Sequence, residues 1–338
     1  MEHHAPHPTA AFEGWYSKFD LPSGGHVALI LCSIPSATTL PPHMVSFTYY
    51  PPSPSSSTPI FQREHWVKDI QRVITGPNHA FELRVEGMGT MSVSADATTQ
   101  WDLKCEDWEF KGATKGAERV PWMRNKSTPE GWLIHLPLPL HWHVHSLGSL
   151  SATELTIPSI GVKERGTSIV HLEKNWANSF PEAHMWIQAR SPTSSSGICL
   201  AGGKILGMTA FLIGYASPDL NIDFVPPFAL SIFGLSPFMS FNVDWENRTF
   251  NLTVQSFWKK LVLRAKAPKE SGWFGLASPF IEGHRKNFVI ESFRATIEVE
   301  IWERGWLGGW SDIKSDTFEG GSLEFGGGYY PERGEKRE

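Results

Sequence analysis

The stretch His171-Leu-Glu-Lys-Asn-Trp-Ala-Asn-Ser-Phe-Pro181 brings an imidazole, a carboxylate, two amides and an indole into one short run. Read as a strand, it carries His171, Glu173 and Asn175 on one face and Leu172, Lys174 and Trp176 on the other, because successive side chains alternate. The first face can move a proton: a carboxylic acid gives it and an imidazole, poised near neutrality, takes it. The plainer alternative is an edge strand whose His171 and Glu173 meet solvent. Two companion stretches bear on that choice. In Phe12-Glu-Gly-Trp-Tyr-Ser-Lys18 the residues Glu13, Trp15 and Ser17 share a strand face, so an acid and an indole point the same way. In Leu140-His-Trp-His-Val-His-Ser146 the residues His141, His143 and His145 project from one face, with Trp142 and Val144 on the other. Two strand histidines and a third ligand can hold zinc. No fourth ligand or open water position is identifiable, and a pocket wall or histidines hydrogen-bonded across a sheet fit equally, so no metal and no other cofactor is expected.

Such faces need strands to carry them, and the composition supplies strands. The chain has 338 residues, 41% hydrophobic and 19% charged, enough for a large core and for two domains. Thirty Gly and 25 Pro, spread without a repeat, fit many turns between short strands, so the class is mostly β. A net charge of -5 with dispersed Lys and Arg leaves no basic footprint, and nucleic acid is not expected as a partner. Cys32, Cys105 and Cys199 lie far apart without metal-type spacing and read as buried, reduced thiols. The apolar run from Ile198 to Tyr215 is interrupted by Lys204 and four glycines, and that from Phe224 to Phe241 by Pro226, Pro227 and Pro237; neither reads as a membrane span. With no leader or span read, the expected location is cytoplasmic. The 15 Trp and 21 Phe suit a large β core and, collectively, a deep apolar pocket for a small apolar or aromatic metabolite.

Along the chain, residues 1–11 carry His3, His4 and His7 and read as a disordered terminus, the histidines too local to make a site. Lys111 to Glu130 reads as a polar loop, and Gly161-Val-Lys-Glu-Arg-Gly166 as a turn and domain junction. The expected division is therefore a barrel over 12–160, a second over 161–332 and a charged tail over 333–338, each sheet closing to hide its edges.

Four stretches together resemble the tocopherol cyclase family: Phe12-Glu-Gly-Trp-Tyr-Ser-Lys18; His171-Leu-Glu-Lys-Asn-Trp176, continuing to Phe180-Pro181 and Trp186-Ile-Gln188; Gly272-Trp-Phe-Gly-Leu276 followed by Glu291-Ser-Phe293; and Leu323-Glu-Phe-Gly-Gly-Gly328. The resemblance spans nearly the whole chain. It implies two lipocalin-like (calycin-type) β-barrel domains and conversion of a prenylated hydroquinone into a chromanol, by adding a phenol oxygen to a prenyl alkene without a redox cofactor. Ala177 stands where the family usually has glycine. The Ser/Pro stretch from Pro51 to Pro59 and the Trp-rich close are similar to fungal members, which implies specialised polyketide or terpenoid substrates.

That chemistry needs an acid, a dry cavity and rings to face positive charge. A carboxyl buried among aromatics keeps its proton because desolvation disfavours the carboxylate; Glu173 is the first choice and Glu13 the second. His171, His141 or His143 could take the phenol proton, and Trp15, Tyr16 and Trp176 could face the cation. Asn175, Trp186 and Gln188 complete the expected substrate contacts, and the three motifs are expected to line one cavity. A pericyclic, Diels-Alder-like route would ask only for productive folding of the substrate and a hydrogen bond to a polarised carbonyl. The competing class is a lipocalin-like carrier that returns its apolar ligand unchanged.

Overall fold

A computed structural model describes residues 3–52, 58–115, 119–123, 128–138, 140–178, 180–192 and 195–334. Most of the Ser/Pro stretch (53–57) and residues 335–338 of the expected tail lie outside the described residues. Among the described residues strands occupy 62% and helix 3%, the mostly β composition that the turn-rich sequence predicts.

The chain forms two compact units. The first holds β1 (Phe12–Asp20), β2 (His26–Ser33), β3 (His43–Tyr50), β4 (Phe61–Trp66), β5 (Ile70–Ile74), β6 (Phe81–Val85), β7 (Gly89–Val93), β8 (Thr99–Lys104), β9 (Glu109–Thr114), β10 (Leu140–Ile157) and β11 (Val162–Ala177). They pair in the order β4-β3-β2-β1-β11-β10-β9-β8-β7-β6-β5, all antiparallel. Phe61 on one edge strand and Ile70 on the other join the same buried cluster as Trp15, Leu172 and Trp101 from the middle of the sheet. A flat sheet could not bring both edges to one core, so this sheet curls into a lipocalin-like half-barrel. Local pattern follows the core: Thr99–Lys104 alternates strictly between buried and exposed residues.

The second unit holds β12 (Ala183–Arg190), β13 (Gly197–Ile205), β14 (Met208–Ala216), β15 (Asn221–Phe224), β16 (Leu230–Ile232), β17 (Met239–Asp244), β18 (Thr249–Gln255), β19 (Lys259–Lys266), β20 (Phe274–Phe280), β21 (Gly283–Arg304) and β22 (Trp310–Gly327). Its main path runs β15-β14-β13-β12-β22-β21-β19-β18-β17 around a second core that includes Met185, Ile187, Phe211 and Phe250.

The division differs from the expected 12–160 and 161–332. Gly161 adopts φ 66° and closes the 3-10 turn Pro158–Ile160, which joins β10 to β11 as one long hairpin inside the first sheet. What read as a domain junction is a hairpin turn: the first unit runs to Phe180, apart from Met123, and takes in residues 279–285, the last residues of β20 and the first of β21. In that added segment Glu282 O accepts from the amides of Thr39 and Leu40. The disordered terminus also fails for residues 3–8, because His4 and Ala5 are fully buried in the first unit. Among the described residues, no helix is long and apolar enough to cross a membrane.

Candidate functional site

Register sorts the singled-out residues onto two faces. Glu13 pairs with Trp176 and Trp15 with Lys174 between β1 and β11, while His141 pairs with Trp176 and His143 with Lys174 between β10 and β11. Paired residues share a face, so Glu13, Trp15, Lys174, Trp176, His141 and His143 all point toward the first core. Tyr16 pairs with Glu173, Gly14 and Trp142 with Asn175, and Lys18 with His171; these lie on the opposite face. The expected single cavity is therefore two clusters, separated by the thickness of the sheet. A period of two cannot place Glu173 and Trp176 on one side.

The inner cluster is an ionic network. Glu13 is fully buried; it accepts from Arg72 at 2.5 Å, from Lys174 Nζ at 2.6 Å and from the His7 backbone N–H at 2.5 Å. Lys174, also fully buried, donates its remaining protons to His7 Nδ1 at 2.7 Å and to the carbonyl of Ala5. Its ammonium lies 4.5 Å from the Trp15 ring centre and 5.4 Å from that of Trp176, which favours the charged form in a dry setting. Burial pushes the Glu13 carboxyl up, but the hydrogen bonds from His7 and the Lys174 charge outweigh it and bring the pKa down to about 2. Glu13 is thus a carboxylate and cannot be the acid that the sequence suggested. Burial lowers Lys174 to about 8, with Glu13 offsetting part of the shift.

Around this network stand the histidines. Trp176 stacks on His7 at 4.0 Å and on His141 at 5.0 Å between ring centres. His141 Nδ1 lies 2.8 Å from Glu130 Oε2, and Glu130 Oε1 accepts from the Trp142 N–H at 2.6 Å. His4 stacks on His145 at 4.0 Å, and Arg119 reaches His145 Nδ1 at 3.1 Å. Burial first, then neighbouring histidines and cations, hold His4, His143 and His145 neutral, well below the usual imidazole range. Among the described residues, both ring nitrogens of His4, Nδ1 of His143 and Nε2 of His145 have no hydrogen-bond partner. The strand triplet itself does not offer converging ligand atoms. A group that does, His65, Cys105 and Asp107, lies elsewhere in the first unit, with His65 Nε2 already accepting from Trp108 Nε1 at 2.9 Å.

On the opposite face His171 Nε2 and Glu173 Oε2 are 2.9 Å apart, both side chains buried. They do not meet bulk solvent, so the edge-strand alternative fails. Asn175 is seated by Gly14: a Cβ there would lie 2.7 Å from Asn175 Oδ1, so the glycine of the Glu-Gly-Trp motif is what lets the amide approach the neighbouring strand. Tyr16 and Trp142 complete the row, and Trp142 meets Trp122 edge-on at 5.4 Å.

The fold is similar to that of CghA. The structure of CghA with Sch210972 matches with a TM-score of 0.60 at 11% identity, over 94% of this chain and 88% of that one. A putative AttH from Nitrosomonas europaea matches at TM-score 0.53 and 11% identity, over 96% and 94%. Kievitone hydratase from Nectria haematococca matches at TM-score 0.53 and 9% identity, over 97% and 92%. At such identities the likeness is one of fold. No protein-family model and no curated protein matches the chain.

In the second unit, Trp186 and Gln188 alternate with Met185 and Ile187 along β12 and so turn away from the second core, though both are buried. His184 shares their face and lies 2.7 Å from Glu324 Oε1. Gly326 packs against the His184 ring so closely that no side chain fits there, which gives the Gly-rich motif at 323–328 a positioning role. The sequence reading passed over Lys174, Arg72, Glu130, His184 and Glu324. Lys174 and Glu324 stood inside quoted motifs; Arg72 and Glu130 carried no periodic signal, since strand pairing and a loop return bring them in.

Proposed function

We propose that the chain is a cofactor-independent cyclase of the tocopherol cyclase type, which closes an oxygen heterocycle on a prenylated phenol or quinone, or on a related polyketide–terpenoid, in specialised metabolism. The observation that carries this reading is the buried His171–Glu173 pair, 2.9 Å apart, with Tyr16 and Asn175 on the same strand face. A carboxyl and an imidazole meet there at hydrogen-bond distance, away from bulk water, the geometry from which a proton can be passed to a substrate. Delivered to the less substituted carbon of a prenyl alkene, it leaves a tertiary cation. The phenol oxygen then forms the new C–O bond, and the phenolic proton returns to the pair. Tyr16 and Trp142 are the rings available to the cation on this face, in place of Trp15 and Trp176. Asn175 offers an amide to fix an oxygen of the substrate. If the substrate closes by a pericyclic route, the same pair supplies the hydrogen bond to its polarised carbonyl.

The fold shared with CghA and with kievitone hydratase supports a small-molecule site without naming the reaction. Incubation with a linear geranylated hydroquinone, followed by mass spectrometry, tests the reading. Cyclisation yields an isomer of unchanged mass, hydration adds one water, and a carrier returns the precursor. Either of the last two results refutes the cyclase.

A further inference from the structure

Residues His3 to Pro8 pack into the first unit, and the contacts made there are those that a bound ligand would make. His4 O accepts from Trp15 Nε1 at 2.9 Å, and Ala5 O accepts from Lys174 Nζ. Lys174 has three donors, and two of them, those to Ala5 O and His7 Nδ1, are spent on this segment; only the third goes to Glu13. His7 lies flat on Trp176, with the ring planes 3° apart. Two carbonyl oxygens and two flat rings thus occupy an indole N–H, an ammonium and two aromatic surfaces.

We infer that residues His3 to Pro8 are an internal occupant of a second ligand site in the first half-barrel, which takes a flat apolar molecule bearing a carbonyl oxygen. Segments that serve only as core do not bury an imidazole with both nitrogens unpartnered, as His4 is buried here, since each such atom loses its water without a replacement. That loss offsets the stacking on His145 and leaves the segment able to withdraw. On withdrawal Lys174 and Trp15 each present a donor to the vacated space, while Glu13 and Arg72 keep the ammonium in place. A ligand carbonyl then takes the position of Ala5 O, and its flat body that of the His7 ring beside Trp176. His145, on which His4 stacks, has Nδ1 facing Arg119 and Nε2 buried without a partner. This site lies on the opposite sheet face from His171 and Glu173, so it stands or falls independently of the cyclase reading.

The test uses the full chain and a propionyl-dimethylaminonaphthalene dye, a flat apolar ketone whose emission reports its surroundings. A site open only part of the time binds in proportion to its open fraction, so His4→Gly/His7→Gly should bind the dye about tenfold or more tighter than the wild type. Adding Lys174→Met to that variant should weaken binding by about tenfold, the worth of a hydrogen bond from a charged donor. In the wild type, saturating dye should speed hydrogen exchange at the His7 amide, which now donates to Glu13. This last measurement decides the matter if the glycine variant does not fold. Equal dye affinity in wild type and a folded glycine variant, indifference to Lys174→Met, no dye binding to any of the proteins, or unchanged or slower exchange at His7 overturns the inference.

Discussion

Replacing Glu13 by Gln keeps the shape of the inner network and removes its one negative charge. The carboxylate sits between Lys174 Nζ at 2.6 Å and Arg72 at 2.5 Å. Arg72 retains 18% exposure and can turn to water, but Lys174 has none. The drop in Glu13 from 4.5 to about 2 corresponds to about 3 kcal/mol in favour of the fold at neutral pH, in the range of about 3–5 kcal/mol for breaking a buried pair on one side. Loss of Glu13 also removes what holds Lys174 up, so its pKa falls below about 8. An unfolded lysine titrates near 10.5 and binds a proton that the folded one lacks, so stability rises with pH between the folded and unfolded values. The wild type gains between about 8 and 10.5; the variant starts to gain at lower pH. Denaturant unfolding should therefore show Glu13→Gln less stable by about 3–5 kcal/mol at pH 7, with a smaller deficit at pH 9. Lys174→Met in the same chain should restore much of the loss, since the remaining cation reaches water. A deficit under about 1 kcal/mol at pH 7, or one that widens towards pH 9, would refute the dry ionic network.

Other outcomes follow from single contacts. For the wild type, the depressed Glu13 pKa means its contribution is complete above 4.5 and is lost as pH falls through about 2; acid unfolding of Glu13→Gln should lack that component. Glu173→Gln preserves shape but cannot release a proton, so turnover of an authentic substrate should fall about 100-fold with fold and affinity kept; full activity would leave the pericyclic route as the reading. Gly14→Ala puts a methyl 2.7 Å from Asn175 Oδ1 and should displace the amide, costing about 1–3 kcal/mol and raising KM; wild-type KM in a folded Gly14→Ala protein would remove Asn175 from the substrate contacts. Glu130→Gln removes the carboxylate beside His141 and should lower thermal stability measurably, with little effect on turnover if the reaction uses the opposite face.

Much of this molecule follows from local sequence. Alternation at period two sets which of His171 to Trp176 share a face, and Gly and Pro density sets a β fold, because both depend only on neighbours along the strand. The same rule already separated Glu173 from Trp176, and the expectation of one cavity overran it. Tertiary structure decided the rest. Strand register brought Glu13 opposite Trp176 and Trp15 opposite Lys174, and curling of the sheet brought Arg72 from an edge strand onto Glu13. The terminus looked disordered because its composition has no periodicity, yet His4, Ala5 and His7 find partners more than 140 residues away on β11 and on the neighbouring β10. Glu130 likewise sits in a stretch without pattern and is placed by a loop that returns to its own following strand. Charge states were equally beyond the sequence: Glu13 is ionised because Lys174 and the His7 amide surround it, and a carboxyl's proton affinity is set by what folding packs against it.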